Sequence, residues 1–320
     1  MPHSFSDAEP IDRQATPEAR ALLRFLQSIN GRRTLSGQHN YFSSPQLSSD
    51  RVKATAGASP LVWGCEWGFS DSRHATDDIA HRPRVLAEMK ARHEAGHVVV
   101  LTWHQASPTI GEPCLFEEGV KMNLPQHEWR EILTEGSRLH RIWCEQVDLL
   151  AEGLRTLSDA RVPLVFRPYH EMNGDWFWWG ARPGANDYGQ LWRRLQQRLM
   201  HHHRLHNLLW AWCCDRPWEG VEAYWPGHDV VDLVGTDIYP LPGRPVVYPQ
   251  EWYDRMAALA RGKPLALTEN SVLPTDEELT RQPWAWFMGW VDLLFEANSE
   301  EEIRRAYANP RVASLSDTRG

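Results

Sequence analysis

The chain has 320 residues and a formal net charge of −8, from 34 Lys and Arg against 42 Asp and Glu. Proteins that bind nucleic acids or anionic membranes usually present a basic face, so this charge argues against both partners. Charged residues make up 24% of the chain and hydrophobic residues 42%, as in soluble globular proteins. No apolar run approaches the roughly 20 residues needed to span a bilayer.

The N-terminus, MPHSFSDAEP, has neither the basic region nor the apolar region of a secretory signal. We therefore expect a cytoplasmic protein if this is the natural start, and a secreted one if a signal peptide has been removed. The five cysteines are odd in number and lack CxxC spacing, which argues against a disulfide framework and against a structural zinc site. Reduced thiols are the prediction.

Short apolar segments rich in Val, Leu and Trp recur along the chain and predict strands at 34–39, 61–69, 97–104, 162–171, 207–215, 231–239, 264–269 and 284–290. Between them, apolar residues at every third or fourth position predict amphipathic helices, most clearly at 77–95, 128–157, 188–206 and 252–260. The stretch 105–127 after the third strand is an insertion that could form a wall of a cleft.

Eight apolar strands that alternate with helices predict a parallel sheet closed into a single-domain (β/α)8 barrel over residues 1–320, with 1–30 as an N-terminal extension and leading helix. An open doubly wound sheet is the alternative, but no strand is followed by a GxGxxG or GxxxxGK[ST] loop. In a barrel the strand ends meet at one face, where the active site of this fold lies. The predicted strand-end residues are His39, Trp67, His104, Glu171, Asp215, Tyr239, Glu269 and Trp290.

The densest group of functional side chains is the run RPYHEMNGDWFWWG at 167–180. Because side chains alternate along a strand, we expect Arg167, Tyr169 and Glu171 to share the face that points into the barrel. A second carboxylate, Glu269, ends the seventh strand and would lie across the barrel mouth from Glu171.

Two facing carboxylates suit cleavage of a glycosidic bond, which needs a protonated acid for the leaving oxygen and an ionised group for the anomeric carbon. Arg167 would keep Glu269 ionised as the nucleophile, whereas aromatic neighbours would disfavour the charged form of Glu171 and make it the acid. Each Glu taken alone is also explained by an ion pair or a helix cap. The 17 Trp, against 9 Phe and 8 Tyr, favour a sugar ligand, since indole offers a broad flat face to C–H-rich rings.

The motif at 167–180 and five other segments together resemble glycoside hydrolase family 26, the β-mannanase family. The resemblance covers 35–315, and the other segments are SGQHNY, LTWH, VDLVGTDIYP, LALTE and WAWFMGW. It implies a retaining enzyme on a (β/α)8 barrel, with Glu171 as general acid/base and Glu269 as the nucleophile that forms a glycosyl-enzyme intermediate.

The resemblance also implies a set of substrate-binding residues. His170 resembles a substrate-contacting histidine at the point of cleavage, and His104 a histidine at the end of the third strand. Tyr239 resembles a tyrosine whose hydroxyl supports the nucleophile. Trp176 resembles a sugar-stacking aromatic, and Trp290 the aromatic floor under the central sugar. The predicted substrate-binding set is completed by Arg167, Asn173 and Trp179. Each aromatic in this set could instead pack beneath the helices.

The predicted function is therefore a retaining endo-β-1,4-mannanase acting on mannan or manno-oligosaccharides. The same mechanism on mixed-linkage β-glucan or β-xylan is an alternative, and a carbohydrate-binding barrel without catalysis is another. No cofactor and no metal are expected, because both catalytic groups are side chains.

Overall fold

The computed structural model describes residues 9–318, which form a barrel of parallel strands. The strands of the closed sheet are Thr34–Asn40 (β1), Val62–Glu66 (β2), Val98–Trp103 (β3), Leu164–Pro168 (β4), Leu208–Asp215 (β5), Leu233–Ile238 (β6), Leu265–Asn270 (β7) and Trp286–Trp290 (β8). Every predicted strand overlaps one of these segments. The prediction of a single (β/α)8 barrel is confirmed.

Strand β1 closes the barrel, because it pairs with β2 on one side and with β8 on the other. Gln38 lies opposite Trp63 in the first pairing and opposite Gly289 in the second. The other neighbours follow chain order from β2 to β8, all in parallel. A two-residue strand, Val312–Ala313 (β9), adds to the start of β1.

Helices surround the sheet and connect its strands. They are Pro17–Ile29 (α1), Leu47–Ala56 (α2), Arg82–Glu94 (α3), Gln126–Leu133 (α4), Arg138–Asp159 (α5), Tyr188–Gln196 (α6), Gln250–Ala260 (α7), Asp276–Arg281 (α8), Leu293–Ala297 (α9) and Glu300–Ala308 (α10). Among the described residues, no helix combines the length and the apolar character required to cross a membrane.

The helix predicted at 128–157 is in fact two helices. Gly136 has a φ of +78°, which a continuous helix does not accommodate, and the Ser137 hydroxyl then caps α5 by accepting from the His140 N–H at 3.1 Å. The segment predicted at 188–206 is also divided, because α6 ends at Gln196 and wider π-type turns continue to His202.

The two sides of the sheet bury two hydrophobic clusters. One cluster lies between the sheet and the outer helices. The other fills the barrel interior and includes Ala19, Leu23 and Leu26 of α1, the helix that precedes the barrel. Side chains alternate along each strand between the barrel interior and the helix layer. The inward-facing positions near the carboxyl ends of the strands are therefore the ones available to polar side chains.

Candidate active site

A cavity of about 460 Å³ opens at the carboxyl ends of the strands. Its lining includes both predicted catalytic carboxylates, Glu171 and Glu269, and four of the eight predicted substrate-binding residues: His104, His170, Tyr239 and Trp290. The insertion at 105–127 contributes Phe116 to the wall. The structure thus brings these six residues together.

Glu269 is held by donors on both of its oxygens. The Arg167 guanidinium donates to Oε1, and the Tyr239 hydroxyl donates to Oε2 at 2.7 Å. Burial holds the pKa of Tyr239 well above its ordinary value, and the negative charges of Glu269 and Asp237 raise it further. The Tyr239 hydroxyl therefore remains a donor. Charge-assisted bonds of this kind suit an ionised carboxylate.

Arg167 bridges two acids inside the barrel. Its Nη1 donates to Asp237 Oδ2 at 2.9 Å, while its Nε donates to the Thr102 hydroxyl at 3.2 Å. The Asp237 carboxylate also accepts from the Thr268 hydroxyl at 2.7 Å. The Arg167 side chain is only 1% exposed, so it orients Glu269 from beneath and is not a wall of the cavity.

Glu171 has the opposite environment. Burial raises the pKa of Glu171 well above its ordinary value, and the negative charges of Asp237, Glu269 and Asp215 raise it further. The Trp176 indole Nε1 donates to Glu171 Oε2 at 2.8 Å, which counteracts part of this rise. A carboxyl whose neutral form is favoured in this way is equipped to donate a proton.

The segment after β4 departs from strand geometry, so one expectation about it was wrong. Tyr169 and Glu171 have φ of +48° and +53°, in the left-handed region that non-glycine residues rarely adopt. Strained residues of this kind each cost about 1–3 kcal/mol and persist only where the surroundings hold them. The simple alternation is therefore lost, and Tyr169 does not share the inward face with Arg167 and Glu171.

Tyr169 instead points into the helix layer. Its hydroxyl accepts from the Trp143 indole of α5 at 2.9 Å and donates to Gln105 Oε1 at 2.6 Å. The turn at Tyr169 brings the next residue, His170, to the cavity together with Glu171.

Two histidines meet beside Glu269. The His104 and His170 rings are 4.4 Å apart between centroids, and His170 Nε2 lies 3.8 Å from Glu269 Oε1. Burial and the charge of Arg167 lower the pKa of His170 well below its ordinary value, so the ring is neutral. His104 is fixed by Glu66, whose carboxylate lies 2.5 Å from Nδ1 and accepts the His104 backbone N–H at 2.9 Å.

Trp290 lies against the imidazole of His39. The two rings stack with centroids 3.9 Å apart and an angle of 21° between their planes. Trp290 is partly exposed and lines the cavity, so one indole face is backed by His39 while the residue remains accessible. This is the position expected of a sugar platform.

Trp176 lies at a second opening that also reaches Glu171. Its lining residues are Phe116, Lys121, Glu171, Trp176, Phe177 and Arg216. Gly174 permits the placement of the indole, because a Cβ there would come within 2.3 Å of the Trp176 ring. Trp176 therefore combines a partly exposed ring with the hydrogen bond to Glu171, a bond that the motif alone did not indicate.

Besides Arg167, two other predicted substrate-binding residues lie outside both openings. Asn173 binds the end of β5, where its Nδ2 donates to the Asp215 carbonyl at 2.6 Å and its Oδ1 accepts the Asp215 N–H at 2.8 Å. Trp179 has 0% exposure and is stacked on Phe177 at 4.5 Å. For Trp179 the structure favours packing over direct contact with a sugar.

Glu66 and Asp237 are functional candidates that sequence reasoning missed. The second strand was expected to run on to 69, with Trp67 as its end residue, but β2 ends at Glu66. Asp237 lies two residues before Tyr239, so alternation from Tyr239 would have placed it on the inward face.

Two groups of potential metal ligands occur within residues 9–318, each with its ligand atoms within 4.8 Å of one another: His170, Asp237 and Glu269, and Asp148, His202 and His203. An arginine already binds the carboxylates in each group. Arg167 donates to Asp237 and Glu269, while Arg198 donates to both oxygens of Asp148. Both groups are therefore explained as ion-pair networks.

The mouth of the barrel thus holds one carboxyl whose neutral form is favoured by burial and one carboxylate held by cationic and hydroxyl donors. Glycosidic-bond hydrolysis requires such a pair. The sequence profile of glycosyl hydrolase family 26 matches residues 11–313. The chain belongs to that family.

Relatives and solved structures are similar over most of the chain. A mannan endo-1,4-β-mannosidase of Thermothelomyces thermophilus is 28% identical over 96% of this chain and 62% of its own length. An enzyme of the same name from Bacillus subtilis is 28% identical over 83% of this chain and 74% of its own. The chain thus spans less than two thirds of the Thermothelomyces protein.

Among solved structures, GH26A from a Muricauda species superposes with a TM-score of 0.88 at 35% identity, covering 96% of this chain and 99% of that one. A β-mannanase from a symbiotic protist of the termite Reticulitermes speratus, complexed with gluco-manno-oligosaccharide, has a TM-score of 0.85 at 24% identity and covers 98% of both chains. At that identity the second comparison supports the fold.

Proposed function

We propose that the protein is a retaining endo-β-1,4-mannanase that cleaves mannan or manno-oligosaccharides. The observation that carries the proposal is the pair of carboxyl groups in one cavity with opposite environments. Glu269 accepts from Arg167 and Tyr239, whereas burial and negative neighbours favour the neutral form of Glu171. The choice of mannan rests on the two mannan endo-1,4-β-mannosidases to which the chain is similar.

The proposed reaction has two displacements. The Glu269 carboxylate attacks the anomeric carbon, while Glu171 gives its proton to the departing glycosidic oxygen. Glu171, now ionised, then takes a proton from the water that attacks the glycosyl-enzyme and releases Glu269. Trp290 and neutral His170 would contact the sugar under attack, because both line the cavity beside Glu269.

The substrate is tested by incubating the protein with β-mannan, glucomannan, barley mixed-linkage β-glucan and xylan, with Glu269→Ala as the matched inactive control. We expect manno-oligosaccharides from the first two polymers and an early fall in viscosity, as internal cleavage requires. Products from barley glucan or xylan alone would refute mannan as the substrate and leave the mechanism in place. Binding without cleavage of any polymer would favour the carbohydrate-binding alternative.

The stereochemistry is tested by proton NMR of the first product formed. A retaining enzyme releases the β-anomer first, and the α-anomer appears later by mutarotation. An initial α-product would refute the double displacement, whichever polymer is cut.

A further inference from the structure

We propose that Trp179 and Tyr188 are positioning residues that hold the turn Tyr169–His170–Glu171 and thereby aim the Glu171 carboxyl at the leaving group. The inference rests on the proposed function, because it assigns both residues an effect on the acid/base group. It gives Trp179 a role other than contact with a sugar.

The two side chains bind consecutive carbonyls of the turn. The Tyr188 hydroxyl, at the start of α6, donates to the Tyr169 carbonyl at 3.1 Å. The Trp179 indole donates to the His170 carbonyl at 2.8 Å. Both side chains have 0% exposure and neither lines the cavity, so the two bonds are sheltered from water and are not contacts with substrate.

The turn needs such support because its backbone is disfavoured. Tyr169 and Glu171 both have positive φ, with one residue between them. The main chain provides part of the support, since the Glu171 N–H donates to the Cys213 carbonyl of β5 at 2.9 Å and the Glu171 carbonyl accepts from the Gly174 N–H at 2.9 Å. The carbonyls of Tyr169 and His170 are bound by the two side chains.

Losing either donor would leave a buried carbonyl unpaired, and the turn could relieve this by relaxing toward extended geometry. An extended chain alternates its side chains, so His170 and Glu171 would no longer face the cavity together. Proton transfer depends on placement within hydrogen-bond reach, so it would be impaired first.

The test uses Trp179→Phe and Tyr188→Phe, which remove one donor each and retain an aromatic ring. Two substrates are compared: a manno-oligosaccharide, whose leaving sugar needs a proton, and 2,4-dinitrophenyl β-mannobioside, whose leaving group departs without one. We expect kcat/KM to fall by about tenfold or more on the first and by less than about threefold on the second, because only the first requires the acid.

Trp192→Phe is the matched control. Trp192 also has 0% exposure, and its indole donates to a backbone carbonyl, that of Val230, at 2.9 Å. We expect this variant to lower Tm to a similar degree while the ratio of the two kcat/KM values stays at the wild-type value. A merely structural role for Trp179 or Tyr188 would reproduce that control result.

Equal losses on both substrates, or no loss on either, would overturn the inference. If circular dichroism shows that Trp179→Phe does not fold, Tyr188→Phe decides, because it removes a single oxygen atom. A wild-type protein that cleaves neither substrate would refute the proposed function itself. An active wild type with unchanged ratios in the variants would refute only the positioning role.

Discussion

Arg167→Met tests the buried charge network beneath the site. The exposed fractions of the three side chains are 1% for Arg167, 0% for Asp237 and 6% for Glu269. The substitution leaves two buried carboxylates without their cation, and breaking a buried ion pair in this way costs about 3–5 kcal/mol of the free energy of unfolding. With an unfolding entropy of about 2.1 cal/mol/K per residue, this predicts a fall in Tm of about 4–7 °C for a chain of this length.

The fall in Tm caused by Arg167→Met should depend on pH. Burial already holds the pKa of Asp237 well above its ordinary value, and the charge of Arg167 counteracts part of this rise, so the pKa of Asp237 rises further without Arg167. The stability that Asp237 contributes is fully present below its unfolded pKa and is lost as the pH rises through its folded pKa. The fall in Tm, measured by calorimetry, should therefore be larger at pH 7.5 than at pH 5, and Asp237→Leu in the same chain should recover part of it.

Arg193→Met is the control, because Arg193 also binds an aspartate, Asp229, but with side chains that are 46% and 67% exposed. Such surface pairs contribute about 0–1 kcal/mol, so Tm should change little. If Arg167→Met behaves like this control, or if its fall in Tm is the same at both pH values, then Arg167 does not stabilise the buried carboxylates.

Three further predictions concern the acid and the sugar platform. Trp176→Phe removes a hydrogen bond to the charged form of Glu171, so the alkaline limb of the pH profile of kcat/KM should move to higher pH by about 0.5–1 unit. Asp215→Asn removes a negative charge near Glu171, so the same limb should move to lower pH. Measured pH–rate profiles that shift in the same direction for both variants would contradict the assignment of Glu171 as the acid. Glu171→Gln should raise Tm above the wild-type value, and the difference in Tm should grow between pH 5 and pH 8. The reason is that an acid with a raised pKa contributes less stability as the pH rises, by up to about 1.4 kcal/mol per pH unit. A difference in Tm that calorimetry finds to be constant with pH would mean that the pKa of Glu171 is not raised. Trp290→Ala should lower kcat/KM on manno-oligosaccharides by about tenfold and should lower kcat as well, because the indole supports the distorted sugar ring of the transition state. Unchanged kinetics with only a lower Tm would show that the indole contributes to packing alone.

The barrel was predictable because its strands are short apolar runs with polar ends. The runs that form β3 and β7 are VVVLTW and LALTEN, and both lie between segments with helical periodicity. Short apolar runs in that setting indicate buried parallel strands. Helix limits were less predictable, since the break at Gly136 lies within a segment whose apolar spacing continues through it.

The catalytic carboxylates were predictable from their places at strand ends, but the contacts around them were not. The alternation of side chains along β4 predicts the direction of Tyr169 only if the strand continues through it. The positive φ of Tyr169 ends that alternation, and a tyrosine in the sequence does not indicate a positive φ. Likewise, the pairing of Glu66 with His104 depends on where β2 and β3 end relative to each other. Such details depend on tertiary packing, which a local pattern does not encode.

Trapping the covalent intermediate would identify the nucleophile of the double displacement, which we propose to be Glu269. A 2-deoxy-2-fluoro-mannosyl fluoride slows both steps but speeds the first through its leaving group, so the glycosyl-enzyme accumulates. Mass spectrometry of the digested protein should then find one added sugar, on the peptide that contains Glu269. A sugar on Glu171 or on Asp237, or an active enzyme that never acquires a label, would show that Glu269 is not the nucleophile.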